Sequence, residues 1–311
     1  MSQAFEGEIA VDRLDDVVVS ASGELFKDSR VLPQSYPPGY AIERRSREQL
    51  ARAGARAAAA ARRLPGEWLF VTDRWSGNYY HWLCEALPRL EVLAGRAGCG
   101  RLLMPRRIHD LSFVRQALAA WPGLEPVAFS EDLRVDRLVV AGHVAPGGHQ
   151  HAGLTALVAC RLKRHFGVDT VSGRRRLHTS RRAAARRRLA NEAELAPALA
   201  RHGFETVVFE EMDLAAQIEL SAGAAAMVGV HGAGLANMMF MAAGGTAAEL
   251  RQAKGPPDAF VNLAATCGHA YRRLDCRAAD ARVHVHASDI VADAGAFDAL
   301  LASIIEAAGG K

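Results

Sequence analysis

The chain has 311 residues, of which 50% are hydrophobic and 23% charged, and its formal net charge is +4. That balance excludes a disordered or fibrous protein and is too mild for a dedicated nucleic-acid binder. Five cysteines, an odd number with no C-x-x-C pair, argue against a disulfide framework or a cysteine zinc site and suit a reducing compartment.

Met1–Glu6 does not open like a secretory leader, and no apolar run reaches the roughly 18–20 residues of a membrane helix. The expectation is a cytoplasmic protein, with peripheral contact to the inner face of a membrane left open. The first segment reads as short strands and turns around Val17-Val18-Val19, broken by Pro33, Pro37 and Pro38. An Ala/Arg helix over 47–63 follows, stopped by Pro65-Gly66, and reads as a solvated element. Strand and helix then alternate: strands at 68–71, 101–104 and 138–141, helices at 81–95, 111–120 and 154–166. After a short basic stretch with two glycines the alternation restarts. Strands are expected at 176–179, 206–209, 226–230, 246–250 and 271–274, with helices at 192–202, 214–223, from 232, and at 258–267 and 295–308. This is the pattern of βαβ units and parallel sheets. It predicts an α/β protein of two Rossmann-like domains, 1–166 and 167–287, with a C-terminal helix in 288–311 packing back on the first. Ligands in such folds lie beyond the carboxyl ends of strands, in a cleft.

Three motifs fall at those ends. In Gly229-Val230-His231-Gly232-Ala233-Gly234-Leu235-Ala236-Asn237 an apolar strand meets a glycine-rich turn that opens a helix, where free N–H groups and a partial positive charge suit a phosphate. His231 can add a hydrogen bond to phosphate, ribose or sugar. Ser180-Arg181-Arg182, with Arg187 downstream, brings guanidiniums that can grip a diphosphate and stabilise a leaving nucleoside diphosphate. Gln217 and Glu211 lie nearby in sequence, and Glu249, ending the next strand, is placed to accept ribose hydroxyls. The third motif, Gly77-Asn78-Tyr79-Tyr80-His81-Trp82-Leu83-Cys84-Glu85-Ala86-Leu87-Pro88-Arg89, puts His81 and Glu85 on one helical face. Either can deprotonate an acceptor hydroxyl. Trp82 or Tyr80 can stack on a sugar ring.

Together these segments resemble glycosyltransferase family 61, over roughly 68–274, with His231-Gly232-Ala233-Gly234-Leu235 the most specific block. One departure is Phe240-Met241-Ala242-Ala243-Gly244, where the family often has a proline. The resemblance implies a GT-B-like fold of two domains facing a central cleft, inversion at the anomeric carbon, a UDP-sugar donor, and a saccharide or lipid-linked saccharide acceptor in cell-surface polysaccharide biosynthesis. The resemblance also places Asn78 and Arg89 in the acceptor set of the first domain, while the second domain would bind the nucleotide-sugar. No D-x-D metal motif stands in a suitable strand-end context, so neither metal nor cofactor is expected, and His143, His149 and His151 lack a completing carboxylate or cysteine. His284 and His286 read as one solvated face of a strand. Two rivals stand beside this reading. One is an NAD(P)-dependent oxidoreductase using Gly232-x-Gly234-x-x-Asn237, with Glu249 on the ribose. The other is a nucleic-acid binder using the arginines of 174–188.

Overall fold

The computed structural model describes residues 6–36, 47–94, 100–168, 173–254 and 258–309. Pro37, Pro38, Cys99 and residues 169–172 of the expected linker lie outside the described residues. The chain divides into two compact units, residues 5–161 and, in the main, 162–311.

The first unit begins with three antiparallel strands, β1 (Val11–Val19), β2 (Leu25–Lys27) and β3 (Arg30–Val31). Helix α1 (Arg47–Ala60) leads to β4 (Arg62–Phe70). Next, α2 (Tyr79–His81) runs through a π turn (Trp82–Ala86) into α3 (Leu87–Ala94). β5 (Arg101–Pro105), α4 (Arg106–His109), α5 (Ser112–Leu118), β6 (Glu125–Phe129), β7 (Leu133–Ala141) and α6 (Ala152–His165) complete the succession. The sheet order is β3-β2-β1-β7-β4-β5-β6, with β7, β4, β5 and β6 mutually parallel. The first parallel strand, β4, therefore lies inside the sheet. From β4 the strands are laid down first to one side, β5 and β6, and then to the other, β7, which makes the carboxyl ends of β4 and β7 a topological switch point.

Local chemistry explains two differences from the sequence reading. Pro65-Gly66 does not stop a helix. It forms an irregularity inside β4, where the register to β7 shifts between Leu64 and Glu67 and Gly66 adopts φ +88°. Proline is tolerated at such a bulge, and glycine adopts positive φ at no steric cost. The helix ends earlier, at Ala60. β6 was not foreseen, because Glu125-Pro126-Val127-Ala128-Phe129 has neither clean alternation nor an apolar run.

The second unit holds β8 (Arg175–Thr179), α7 (Glu192–Arg201), β9 (Phe204–Val207), α8 (Leu214–Ala222), β10 (Ala224–Val230), a 3-10 helix (Ala233–Phe240), β11 (Thr246–Gln252), α9 (Ala259–Thr266), β12 (Ala270–Ala278), β13 (Ile290–Val291) and α10 (Ala294–Gly309). Its sheet order is β13-β12-β11-β10-β8-β9, all parallel except the β12–β13 pair. Counted from β8, the parallel strands run 2-1-3-4-5. That is a doubly wound order with its switch point between β8 and β10. The all-apolar β10, Ala-Ala-Ala-Met-Val-Gly-Val, suits a central strand covered on both faces.

α10 was expected to pack back on the first domain. Its Phe297, Leu300, Leu301 and Ile304 are instead buried with Leu195, Leu199 and Phe204 in this unit's own core. His284 and His286 stand in a turn, not a strand, with their rings 5.2 Å apart.

Candidate functional site

In the first unit the switch point is occupied by the aromatic–histidine segment. β4 ends at Phe70, and Asp73 then closes a turn by accepting from the Trp75 and Ser76 amides and the Ser76 hydroxyl. Asn78 caps the helix by accepting from the Tyr80 amide. His81 Nδ1 lies 2.7 Å from Glu85 Oε2. Burial works to lower the His81 basicity, but the Glu85 hydrogen bond and the fields of Glu85 and Asp73 together raise it above 6.5. Glu85 Oε1 is buried with no hydrogen-bond partner. The helix is locked down by Arg89, 1% exposed, which donates through Nε and Nη2 to the Ala141 carbonyl at the end of β7.

Three expected acceptor contacts therefore change role. Trp82 is fully buried and Tyr80 nearly so, the latter's hydroxyl accepting from Gln150. Neither offers a face to a sugar. Arg89 is a structural tie across the switch point. The partly exposed aromatic beside His81 is Trp75, with ring centroids 6.4 Å apart. The sequence analysis singles out neither Trp75 nor Asp73, although Asp-x-x-Ser after a strand is the signature of an Asx turn.

In the second unit the switch point gathers the two other motifs. β8 and β10 approach so closely that a Cβ at Gly229 would lie 1.8 Å from Thr179 Oγ1. Just beyond, the Arg181 guanidinium lies against the backbone of Gly232, where a Cβ would stand 2.1 Å from Nη1. A side chain at 232 would push the Arg181 guanidinium off this position. Arg181 Nε and Nη2 donate to the carbonyls of Arg187 and Arg186. Arg187 has φ +56° and a buried Nε without a hydrogen-bond partner. Burial foremost, then the charges of Arg181 and Arg186, push the Arg187 guanidinium down to about 10, so it stays cationic at neutral pH. Ala233 and Gly234 open the 3-10 helix, whose first N–H groups precede any intrahelical acceptor. Leu235 is buried behind them.

His231 follows β10 with Nδ1 2.5 Å from Glu249 Oε1. Glu249 is fully buried and its Oε2 accepts from the Tyr271 hydroxyl. Burial lowers the His231 basicity, and Arg187 and Arg251 lower it further, against the raising effect of Glu249. The neutral ring donates from Nδ1 to the carboxylate, which leaves Nε2 as an acceptor. Several expected ligand contacts are corrected here. Glu249 is fully buried with its oxygens turned to His231 and Tyr271, so it is not open to ribose hydroxyls. Gln217 is buried, donating to the Phe209 and Met212 carbonyls and accepting from Asn237, so this pair joins α8 to the 3-10 helix. Glu211 is exposed and lies 3.5 Å from Arg182. Ser180 is buried, its amide donating to Val207 and its hydroxyl accepting from the Arg182 amide.

The rivals lose their footing in the same geometry. A dinucleotide fingerprint belongs to the first βα turn of its sheet. Here the glycines follow the third strand, and the acid expected on the ribose is consumed internally. The arginine run is dispersed: Arg175 pairs with Glu205 and Arg188 with Asp289, while Arg176 binds the His202 carbonyl. Among the described residues no group of three or more His, Cys, Asp or Glu is arranged to hold a metal. His149 and His151 engage the carbonyls of Gly147 and Gly7. Burial foremost, with the charge of Arg89, pushes His143 down to about 3.

The family model described as Glycosyltransferase 61 matches residues 79–248, more than half the chain. The chain belongs to glycosyltransferase family 61. A search of curated proteins finds no match. The match runs from the first residue of α2 into β11, so the glycosyltransferase carries His81, Glu85, Arg181, Arg187 and His231 inside the family region. As a glycosyltransferase it moves a sugar from a donor to an acceptor. Among the described residues no helix is long and apolar enough to cross a membrane.

Proposed function

We propose that the enzyme transfers a sugar from a nucleotide-sugar, of UDP type, to a hydroxyl of a saccharide or lipid-linked saccharide, with inversion, in cell-surface polysaccharide biosynthesis. In this reading the protein is GT-B-like, works in the cytoplasm at the inner face of the membrane, and needs neither metal nor cofactor. The first unit holds the acceptor and the second the donor.

The observation that carries this reading is the pair of guanidiniums at the β8–β10 switch point. Arg181 lies on Gly232, and Arg187 keeps a buried donor unpaired. Beside the first N–H groups of the 3-10 helix, they supply cationic donors where a diphosphate would sit. In the transfer step His81 Nε2 takes the proton of the acceptor hydroxyl, while Glu85 holds the ring from Nδ1. The hydroxyl oxygen forms the new bond to the anomeric carbon as the bond to the diphosphate oxygen breaks. The electron pair stays on that oxygen, and Arg181 and Arg187 stabilise its charge. His231 Nε2, an acceptor, faces a hydroxyl of the ribose or the sugar rather than a phosphate.

Calorimetric titration with UDP, GDP, CDP and NADH, without metal and then with manganese, tests this. Selective binding of one nucleoside diphosphate without metal, with Kd on the order of micromolar, is expected, together with marked weakening in Arg181→Ala. NADH binding in the absence of any diphosphate binding would overturn it.

A further inference from the structure

The Ala/Arg helix α1, which its low complexity marks as a merely solvated element, walls a cavity. Gly54 lets it press onto the β2–β3 turn, where a Cβ would stand 2.7 Å from the Ser29 carbonyl oxygen. Ala57 is buried with Val18 and Phe26. Ala53, Arg56, Ala57 and Ala60 recur at i, i+3, i+4 and i+7, hence on one face, and all four line a cavity of about 750 Å³. Small side chains on that face leave the space open. The opposite wall comes from the turn after β1 (Ser20, Ser22, Glu24) and from Arg74 and Arg107. Those two arginines follow the carboxyl ends of β4 and β5.

The charges in this cavity do not balance. Glu24 already accepts from the Tyr36 and Ser22 hydroxyls and has Arg74 at 3.5 Å. Asp132 Oδ1 accepts from the Ala21 amide. Arg107 is engaged by a neutral group, the Ser22 carbonyl. Arg56 has no hydrogen-bond or ion-pair partner among the described residues. Three guanidiniums therefore face two carboxylates, of which Glu24 is already committed, above a floor of Phe26 and alanines and beside serine hydroxyls. The cavity also adjoins the His81 segment. Tyr36, bonded to Glu24, meets the Trp75 ring edge-on at 5.7 Å, and Trp75 neighbours His81. Arg107 Nη1 lies 3.4 Å from where a Cβ of Gly77 would stand.

We propose that this cavity is the acceptor subsite and that it selects a saccharide carrying a negative charge, a uronate carboxylate or a sugar phosphate. The proposal rests on the reading of His81 and Glu85 as the acceptor side of the reaction. Planar guanidiniums match carboxylate and phosphate oxygens in bidentate fashion, the apolar floor takes a sugar face, and the serines take hydroxyls.

The test is calorimetry on the full chain with three probes: a glucuronate-containing disaccharide, its neutral glucose counterpart, and glucose 6-phosphate. At least one anionic probe should bind about tenfold or more tighter than the neutral one, with the advantage shrinking as salt rises. The tighter of the two anions names the source of the charge. Arg56→Ala should abolish the preference and Arg56→Lys restore part of it. Arg56 is exposed and alanine favours helix, so the fold is expected to hold, as thermal melting would verify. UDP affinity should be the same in both variants as in the parent chain. Equal binding of charged and neutral probes, or a preference that survives Arg56→Ala, would overturn the proposal. A charge preference in a protein that binds no nucleoside diphosphate would support this subsite while removing the donor reading of the second unit.

Discussion

His81 and His231 present the same chemistry in the two halves of the molecule. Each turns Nδ1 onto a glutamate, at 2.7 and 2.5 Å, and each is mostly buried at a switch point of its sheet. Yet their basicities move in opposite directions, His81 upward and His231 downward. Burial opposes the charged ring in both, so the partner carboxylate alone does not decide. The next neighbours differ in the matching sense: Asp73 adds negative field at His81, whereas Arg187 and Arg251 add positive field at His231. A ring whose affinity for a proton is raised suits proton acceptance. A ring held neutral among cations suits a hydrogen-bond acceptor. In the proposed reading, this difference lets one residue pair serve an acceptor side and a donor side without exchanging roles.

The largest expected effect breaks the comparison outright. His81→Ala should lower kcat about 10²- to 10⁴-fold, whereas His231→Ala should mainly raise the donor KM, by about tenfold. Steady-state kinetics would show it, and equal losses of kcat in both would refute the division of labour. Next, Glu249→Ala removes the acceptor of two half-buried donors, Tyr271 and His231, and should cost about 2 kcal/mol of stability by denaturant unfolding. Glu85→Ala should cost less, since one of its oxygens already lacks a partner. Arg181→Ala should weaken UDP binding about 10- to 100-fold and leave saccharide binding unchanged, both read by calorimetry.

The smallest effects are in pH. The acid limb of kcat should lie above pH 6.5, the ordinary histidine value, and move down in Glu85→Gln, because burial then acts with less opposition. NMR titration should place His231 below 6.5. The two rings also pull stability in opposite senses. His81, raised on folding, contributes stability that is fully present below pH 6.5 and lost as pH rises through its folded value. His231, depressed on folding, contributes nothing adverse above pH 6.5, and its protonation in the unfolded chain destabilises the fold as pH falls from 6.5 through its folded value. Opposed shifts in the melting curves of His81→Gln and His231→Gln across this range would confirm the signs.

The same contrast shows what the sequence could carry. His81 and Glu85 are four residues apart, so helical periodicity alone pairs them. His231 and Glu249 meet because β10 and β11 are parallel with Gly229 opposite Glu249, a register no local pattern encodes. For that reason Glu249 reads from sequence as a nucleoside ligand and from structure as the orienter of a histidine. The alternation of strands and helices was legible, and so was the placement of Arg181, Arg187 and the glycine turn beyond strand ends. Burial within an aromatic cluster was not. In Trp75-x-x-x-Tyr79-Tyr80-His81-Trp82, periodicity does not say which ring the core takes, and the core takes Tyr80 and Trp82.

The π turn at Trp82–Ala86, closed by the Leu87 amide on the Trp82 carbonyl, has a genetic consequence. It accommodates one residue more than α geometry needs, between His81 and the Arg89 anchor. Loss of a single in-frame codon from this stretch would leave a continuous, better-bonded helix. The residues on either side would keep their facing, because the bulge is what absorbs the extra residue, but a deletion at Leu83 or Cys84 would bring His81 to three residues before its glutamate. Such an allele would yield a stable, folded protein whose histidine has lost the spacing that seats it on Glu85. A screen for abundance would pass it, and only a screen for sugar transfer would find it.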